Sequence, residues 1–373
     1  MADFLPVAEP DLGPLERKYL LEAFDSGWVS SIGSFLERFE AGVRSLAGTK
    51  HGIAVSNGTV ALHLSLVSRG IGPGDEVIVP DLTFAATAAA VCHAGATPVI
   101  VDVQRDTWCM DVELVERAIT ERTKAIIAVH LLGHPADMTA LRRVADARGL
   151  FLIEDAAEAH GATVSGRPVG GLGHAGCFSF YGNKLVTTGE GGAITTDDDA
   201  YAAKVRFLKD HAMDAKRRYF HPEVGFNYRM TNLQAALGVA QLERYDAMRA
   251  RKAELLAWYR DALAETPVEL NPQAPGTEPV CWLVAALLPS MNYATQAKVM
   301  ARMRADHGVD SRPFFVPMHE LPPYAGARLV TRGASVASEL AARGLCLPSS
   351  NRLTRDDVAR VATALRAALE AER

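Results

Sequence analysis

Lys184 is the residue of this sequence whose setting best suits covalent chemistry. It ends the run Ser179-Phe180-Tyr181-Gly182-Asn183-Lys184 and is followed closely by Thr187-Thr188-Gly189-Glu190-Gly191-Gly192. These small, loop-forming neighbours leave the ε-amine free to reach a ligand, and an amine forms a Schiff base with an aldehyde such as that of pyridoxal 5'-phosphate (PLP). A lone lysine is more often a solvated surface residue, so this interpretation depends on the residues upstream.

A carboxylate at the end of a predicted buried strand supplies the second part of such a site. Residues 151–155 form an apolar run that ends in Glu154 and Asp155. An unpaired buried carboxylate is costly, so Asp155 needs a cationic partner, and a pyridinium nitrogen held at the strand end would supply one. His130 and His160 lie near such strands as well. A lone histidine there is more often structural, and both are left outside the predicted catalytic set.

A phosphate could be held at the start of a predicted helix. Gly58 and Thr59 follow Asn57 and precede an amphipathic run, and the free N–H groups of a first helical turn bind anions. The same residues also form an ordinary helix cap. Ser179 could add a hydroxyl to the phosphate or be a plain turn serine, and Phe84, just after a strand end, could stack on a flat cofactor ring or fill the core.

The elements that position these residues follow from four apolar runs. They are residues 76–80, 98–102, 125–130 and 151–155. Because helix-like segments separate them, they predict an α/β fold with a mostly parallel sheet covered on both faces. Ligands bind at the carboxyl ends of the strands in such sheets, which is where the sequence places Pro80, Asp81, Asp102, His130 and Asp155.

The chain is long enough to form two lobes. Residues 233–242 have helical spacing and lead into a charged helix through about residue 265, and a turn-rich break follows at 271–276. We predict a large domain over residues 1–245, and a bridging helix with a smaller α+β domain over residues 246–373.

Composition narrows the class of partner. The net charge of -5 provides no broad basic field, which argues against nucleic acid or a membrane surface as the main partner. No run is apolar enough to predict a membrane span, and no GxGxxG fingerprint follows a strand. The cysteines have no CxxC pair, which favours reduced thiols over a zinc site or disulfides; they are Cys92, Cys109, Cys177, Cys281 and Cys346. We expect a cytoplasmic protein without a metal.

Three segments together resemble the DegT/StrS family of sugar-nucleotide aminotransferases. They are residues 154–162, residues 179–192 and the run Gly225-Phe226-Asn227-Tyr228-Arg229-Met230-Thr231-Asn232. Further agreement lies in residues 28–33, 72–80 and 311–319, so that the resemblance covers almost the whole chain.

The resemblance implies a fold-type I, aspartate aminotransferase-like enzyme that uses PLP and its amine form PMP. It also implies a homodimer with each active site at the subunit interface. Lys184 would be the Schiff-base lysine and proton carrier, Asp155 would pair with the pyridinium nitrogen, and Glu158 would lie near the phenolic oxygen, where many family members carry glutamine. The ring and the phosphate would be held by Phe84, Gly58, Thr59, Ser179 and, from the other subunit, Asn227.

The implied reaction moves an amino group from glutamate to C-4 of a nucleotide-linked 4-keto-6-deoxy sugar. The expected acceptor is GDP-4-keto-6-deoxymannose, and the residues expected to close over it are Ser30, Ser31, Lys216, Arg217, Arg218, Arg312 and His319. A charge cluster is usually a solvated face, which is the alternative for residues 216–218.

Other acceptors and another class of protein stay open at this point. A 3-keto sugar, a cyclitol ketone, or a sugar linked to dTDP or UDP would suit the same catalytic core. The presence of Lys184 counts against sugar dehydration, because related dehydratases carry histidine there. A PLP-fold regulator without turnover is the alternative outside the enzymes.

Overall fold

The computed structural model describes residues 4–289 and 291–372, and the helices in these ranges begin near the N-terminus. They are α1 Pro14–Asp25, α2 Ser34–Ala47, α3 Gly58–Ser68, α4 Ala86–His93, α5 Val112–Ala118, α6 Met138–Arg148, α7 Asp199–Lys209, α8 Asn232–Glu243, α9 Tyr245–Leu263, α10 Tyr293–His307, α11 Val336–Arg343 and α12 Arg355–Glu370.

The strands alternate with these helices through the first half of the chain. They are β1 His51–Val55, β2 Glu76–Pro80, β3 Thr97–Val101, β4 Thr123–Val129, β5 Phe151–Asp155, β6 Thr163–Val164, β7 Arg167–Pro168, β8 Ala175–Ser179, β9 Gly192–Thr196, β10 Glu269–Leu270, β11 Thr277–Glu278, β12 Val284–Leu287, β13 Arg312–Pro313, β14 Arg328–Val330 and β15 Gly344–Leu347.

The largest sheet has eight strands in the order β1-β9-β8-β5-β4-β2-β3-β14. Strand β9 runs antiparallel to β1 and β8, and every pair from β8 to β14 is parallel. The predicted strands β2 to β5 occupy consecutive positions, which confirms the mostly parallel α/β sheet. Because the parallel strands end at one edge, the residues that follow them gather there.

Both faces of this sheet are covered, because successive strand residues point to opposite sides. One apolar layer, packed with α2, contains Ile78, Ile126 and Leu152. Their chain neighbours face the other layer, packed with α3, α4 and α7, and these are Val79, Ile127 and Ile153. The continuous apolar runs of the sequence are therefore explained by burial on two faces.

A smaller sheet follows α9 and has the order β10-β12-β15-β13. Helices α9, α10 and α12 pack on it around a third apolar core that includes Leu255, Tyr259 and Val361. Strand β14, from the same C-terminal part, instead pairs with β3 at the edge of the large sheet. The predicted division between residues 245 and 246 stays a prediction.

Three properties of the described chain bear on its chemistry. Over residues 4–289 and 291–372, no helix is long and apolar enough to cross a bilayer. Within the same ranges, no group of histidine, cysteine or carboxylate side chains is arranged to hold a metal ion. All five cysteines are free thiols, and Cys92 is the exposed one among them.

Candidate active site

A cavity of about 750 Å³ opens at the carboxyl edge of the large sheet. Its walls come from the ends of β5 and β8, the first turn of α3, the loop after β8, and the segments next to β12 and β13. The predicted site residues that line it are Gly58, Thr59, Phe84, Asp155, Glu158, Ser179, Lys184 and Arg312. The structure thus brings together eight side chains or backbone groups from distant parts of the sequence.

The first turn of α3 lies directly against the strand ends. Asn57 caps the helix, and its side-chain oxygen accepts a hydrogen bond from the Val60 N–H at 3.0 Å. A Cβ added to Gly58 would lie 2.8 Å from the Cβ of Ser179, and one added to Gly192 would lie 2.4 Å from the carbonyl carbon of Asn57. Glycine at these positions lets the turn approach the sheet, so that its free N–H groups and the Ser179 hydroxyl face one space.

Asp155 is buried at the end of β5, with 6% of its surface exposed. Its Oδ2 accepts a hydrogen bond from the Thr87 hydroxyl at 2.8 Å, and its Oδ1 accepts one from the Ala157 N–H at 3.2 Å. Burial raises the pKa of this carboxyl, while Thr87, Ala157 and nearby Lys184 act in the opposite direction. Within the described residues Asp155 has no ion-pair partner within 4 Å, which leaves one side of the carboxylate available to a cationic ligand.

The loop that carries Lys184 is fixed by its own backbone. The N–H groups of Phe180 and Thr188 donate to the carbonyls of Gly191 and Phe180, each at 2.8 Å, and Lys184 N–H donates to the Tyr181 carbonyl at 2.9 Å. The ε-amine lies inside the cavity, where burial lowers the pKa of Lys184 against the opposing effect of the Glu158 and Asp155 carboxylates. A lowered pKa makes more of the neutral, nucleophilic amine available.

Glu158 faces Lys184 across the cavity, with 3.8 Å between Oε1 and Nζ. Its other oxygen, Oε2, accepts a hydrogen bond from the Leu132 N–H at 2.7 Å. Leu132 has φ 53° and ψ 22°, which lie in the left-handed region. The N–H that donates to Glu158 therefore belongs to a residue with a strained backbone. Burial raises the pKa of Glu158 to about 7, although Lys184 and the Leu132 N–H favour the charged form.

Phe84 and Arg312 form part of the rim. The Phe84 ring is 59% exposed and lies 5.7 Å from the ring of Phe315, edge to face. This exposure excludes the core role that the sequence left open for Phe84. Arg312, on β13, is also exposed and lines the same cavity.

Other predicted residues lie outside the cavity of their own chain. Asn227 is exposed, and its side-chain oxygen accepts hydrogen bonds from the Arg229 guanidinium at 3.0 and 3.2 Å. His319 contacts Asp81, with 2.6 Å between Nδ1 and Oδ2. The Ser30 carbonyl accepts the Asn232 N–H at 2.6 Å, and the partly buried Ser31 follows it.

The basic cluster of residues 216–218 is likewise exposed and does not line that cavity. The backbone N–H groups of Lys216 and Arg217 donate to the Asp214 carboxylate at 2.8 and 2.7 Å. The guanidinium groups of Arg217 and Arg218 lie over aromatic rings of the same segment, Phe220 and Tyr219. These contacts leave the cluster at the surface.

Sequence reasoning missed several cavity residues. Trp282, two residues before β12, lines the cavity, and its ring centroid lies 3.7 Å from Lys184 Nζ. Thr87 does not line the cavity but donates a hydrogen bond to Asp155. It was missed because a threonine inside an apolar helix carries no local signal of this contact. Asn183, beside Lys184, also lines the cavity, and its Oδ1 is buried without a hydrogen-bond partner in the described chain.

Comparison with known proteins supplies the class of this site. The profile of the DegT/DnrJ/EryC1/StrS aminotransferase family matches residues 10–366. GDP-perosamine synthase of Caulobacter vibrioides is 48% identical over 363 residues, covering 97% of each chain. A transaminase of Streptomyces venezuelae, named for dTDP-3-amino-3,4,6-trideoxy-alpha-D-glucose, is 40% identical over 90% of this chain and 87% of its own.

A solved structure has the same fold. The PLP form of Spr1654 from Streptococcus pneumoniae is 26% identical and superimposes with a TM-score of 0.92, with 100% of each chain covered. Fold, cavity and relatives together define a fold-type I PLP-dependent sugar aminotransferase. The chain belongs to the DegT/DnrJ/EryC1/StrS aminotransferase family.

Proposed function

We propose that this enzyme transfers the amino group of glutamate to C-4 of GDP-4-keto-6-deoxymannose and so forms GDP-perosamine. The observation that carries the acceptor is the 48% identity, across 97% of both chains, to a protein named GDP-perosamine synthase. A second relative of that name, from Vibrio cholerae, is 40% identical over 97% of this chain. The donor rests on the family resemblance alone.

The cavity residues suit PLP. Asp155 is a buried carboxylate without an ion-pair partner in the described chain, the Lys184 side chain is only 11% exposed, and the Gly58 turn is a cradle that a side chain would fill. Asp155 would hold the ring nitrogen in its protonated form, Phe84 would cover the ring, and Thr59 and Ser179 would join Gly58 around the phosphate. Bound in this way, PLP supplies an electron sink for the carbanion formed when the substrate loses a proton.

Lys184 would hold the cofactor through its ε-amine and would carry the proton during transfer. Burial favours the neutral amine, which can both attack an aldehyde and accept a proton. Glu158, 3.8 Å away, would accept or return a proton near the phenolic oxygen, because its pKa of about 7 lies close to neutral pH.

The sugar nucleotide would enter past the exposed rim. Arg312 lies at the opening, and a guanidinium suits a diphosphate. Ser30, Ser31, Lys216, Arg217, Arg218 and His319 would have to come from the neighbouring chain or move toward the sugar, because they do not line the cavity of their own chain.

We further propose a homodimer with shared active sites. Asn227 is exposed and outside its own cavity, as expected of a group that completes the phosphate site of a neighbour. Large exposed apolar side chains support an interface, and they are Phe24, Trp28, Ile32, Tyr219 and Val224, exposed by 57% to 90%.

We also propose that the protein is cytoplasmic, because its five free thiols agree with a reducing compartment.

The acceptor is tested by kinetics at one fixed glutamate concentration. The kcat/KM for GDP-4-keto-6-deoxymannose is compared with that for dTDP- and UDP-linked 4-keto and 3-keto sugars, and the product is identified by mass spectrometry and NMR. We expect the GDP sugar to be preferred and C-4 to carry the new amine. Preference for a dTDP or UDP sugar, or amination at C-3, would contradict the proposed acceptor.

A second candidate acceptor is a dTDP-linked 3-keto sugar. The observation in its favour is the 40% identity to the Streptomyces venezuelae transaminase. The same panel of substrates distinguishes the two acceptors. The variant Arg312→Ala should raise the KM for the nucleotide sugar in either case, because a guanidinium suits the diphosphate that both acceptors share.

A further inference from the structure

The ring of Trp282 lies close to the Lys184 amine in this cavity. The centroid of this ring lies 3.7 Å from Lys184 Nζ, and the side chain is 5% exposed. The amine also faces Glu158 Oε1 at 3.8 Å. It therefore lies close to both a ring face and a carboxylate, with 11% of the Lys184 side chain exposed.

Trp282 is held through its ring and through its backbone. The ring Nε1–H donates to the carbonyl of Asn183 at 2.8 Å, so the ring is tied to the residue directly before Lys184. The backbone carbonyl of Trp282 accepts a hydrogen bond from the buried Lys252 Nζ at 2.9 Å, and the same Nζ donates to the Ser349 carbonyl. Trp282 thus connects the segment before β12 to the loop that carries Lys184.

We propose that Trp282 is the positioning residue for Lys184, with its ring face holding the ε-amine near the reacting carbon and its N–H fixing the distance to the lysine loop. This inference rests on the role of Lys184 proposed above. A ring face attracts an ammonium group but cannot take its proton. The ring face would therefore keep the charged amine in place while Lys184 carries a proton. A second carboxylate at this position would accept that proton itself.

The first test measures Lys184 in the protein freed of cofactor. Competitive acetylation with acetic anhydride, followed by peptide mass spectrometry, gives the pH at which Lys184 becomes half reactive. Because the ring stabilises the charged amine, Trp282→Leu should lower this midpoint by about one pH unit, and Trp282→Phe, which keeps a ring face, should lower it less. A midpoint in the leucine variant equal to or above that of the native protein would overturn the proposal.

Trp258 provides the matched control. It lies on α9, outside the cavity, with the Arg251 guanidinium 4.3 Å from its ring centroid, so Trp258→Leu removes a tryptophan beneath a cation without touching Lys184. Its Lys184 midpoint should match the native value. A shift as large as that of Trp282→Leu would mean that the effect is general loosening, and the proposal would fail. Where the leucine variant does not fold, the phenylalanine variant decides by the same comparison.

The second test uses the loaded enzyme. Trp282→Leu should lower kcat about tenfold with little change in KM for the nucleotide sugar, and Trp282→Phe should restore part of the loss. A rise in KM with unchanged kcat would overturn the positioning role. Failure of the proposed function can be distinguished from failure of this inference. If the proposed role of Lys184 is wrong, borohydride reduction of the native enzyme labels another lysine. The acetylation midpoint tests the effect of Trp282 on Lys184 in the absence of cofactor.

Discussion

At the scale of single residues, burial sets the chemistry of the cavity. Desolvation lowers the pKa of Lys184 and raises the pKa of Asp155 and Glu158, so each group is shifted toward its neutral form. The attraction between Lys184 and the two carboxylates opposes this effect in all three groups. A cationic ligand beside Asp155 would satisfy its charge, and a neutral Lys184 is the form that reacts with an aldehyde.

Asp155→Asn should abolish most activity and leave PLP bound. The amide cannot stabilise a protonated ring nitrogen, since charge-assisted hydrogen bonds are roughly twice as strong as neutral ones, whereas the phosphate cradle at Gly58 is untouched. We expect kcat to fall by about 100-fold or more, which is about 3 kcal/mol, with cofactor absorbance retained after gel filtration. Native turnover in this variant would exclude Asp155 as the ring partner.

Borohydride reduction should leave a phosphopyridoxyl group on Lys184. We expect this because Lys184 is the one lysine among the described residues that line the cavity, which Asp155 and Glu158 also line, and its amine lies 3.8 Å from Glu158. Peptide mapping by mass spectrometry reads the labelled lysine directly. Lys252, also buried but turned toward the Trp282 and Ser349 carbonyls, serves as the internal control and should stay unlabelled.

Glu158→Gln should change how stability depends on pH. The pKa of Glu158 is about 7 in the folded protein and 4.5 when unperturbed, so between these values the folded state keeps a proton that the unfolded state has lost. The contribution of Glu158 to the free energy of unfolding therefore falls as pH rises through this window. Relative to the native protein, the variant should gain stability from pH 5 to 7, by up to about 3 kcal/mol.

The measurement is urea unfolding of the cofactor-free protein at several pH values. Glu190→Gln is the control, because Glu190 is an exposed carboxylate on the same cavity wall. Parallel pH curves for the native protein and Glu158→Gln would show that Glu158 titrates alike in both states.

At the scale of elements, the approach of α3 to the strand ends creates the cradle. Gly58 and Gly192 permit contacts that a Cβ would block, at 2.8 Å from Ser179 and 2.4 Å from Asn57. The lysine loop is held against the same edge by backbone hydrogen bonds at Phe180 and Thr188. The geometry of the site therefore depends on how tightly these elements pack.

Gly58→Ala should weaken PLP binding more than it weakens the fold. The added methyl group pushes the first turn of α3 away from Ser179, which displaces the N–H groups expected to face the phosphate. We expect the Kd for PLP to rise at least about tenfold, or about 1.4 kcal/mol, as measured by absorbance titration. Gly326→Ala, where a Cβ meets nothing within 4 Å, should bind like the native enzyme, and equal affinity in both variants would remove Gly58 from the cradle.

At the scale of the whole molecule, the proposed homodimer would account for the exposed apolar side chains and for the position of Asn227 outside the cavity of its own chain. Trp28 and Ile32 are 57% and 66% exposed in the loop between α1 and α2, and Val224 is 90% exposed three residues before Asn227. Such surfaces are covered when two copies pair about a twofold axis.

Mixing two inactive variants should restore activity. In a dimer of a Lys184→Ala chain with an Asn227→Ala chain, one site contains both intact groups and the other lacks both. Random exchange in a twofold dimer should therefore give about a quarter of native activity. Each variant alone must be impaired, and subunit exchange is verified by differently tagged chains. No recovery after proven exchange would place Asn227 in the site of its own chain.

Much of the fold followed from the sequence, because its signals are local. The β-branched runs of β2 to β5, the Asn57 cap and the helical spacing of α8 depend on neighbouring residues, and the parallel sheet then requires the strand ends to share one edge. The positions of Lys184 and Asp155 in one cavity were predictable for this reason. The roles assigned to them were suggested by the residue types and their setting, are also implied by the family resemblance, and stay predictions.

Only the tertiary structure decided which strand-end groups face the cavity. Asp81 and Asp102 directly follow two strands of the large sheet, and Asp155 ends a third. Asp81, however, is bound to His319, and Asp102 accepts backbone N–H groups at the start of α11. Trp282 reaches Lys184 across 98 positions of the chain. Such contacts depend on how distant segments pack, and local sequence carries no information about the partner that a side chain meets after long-range folding.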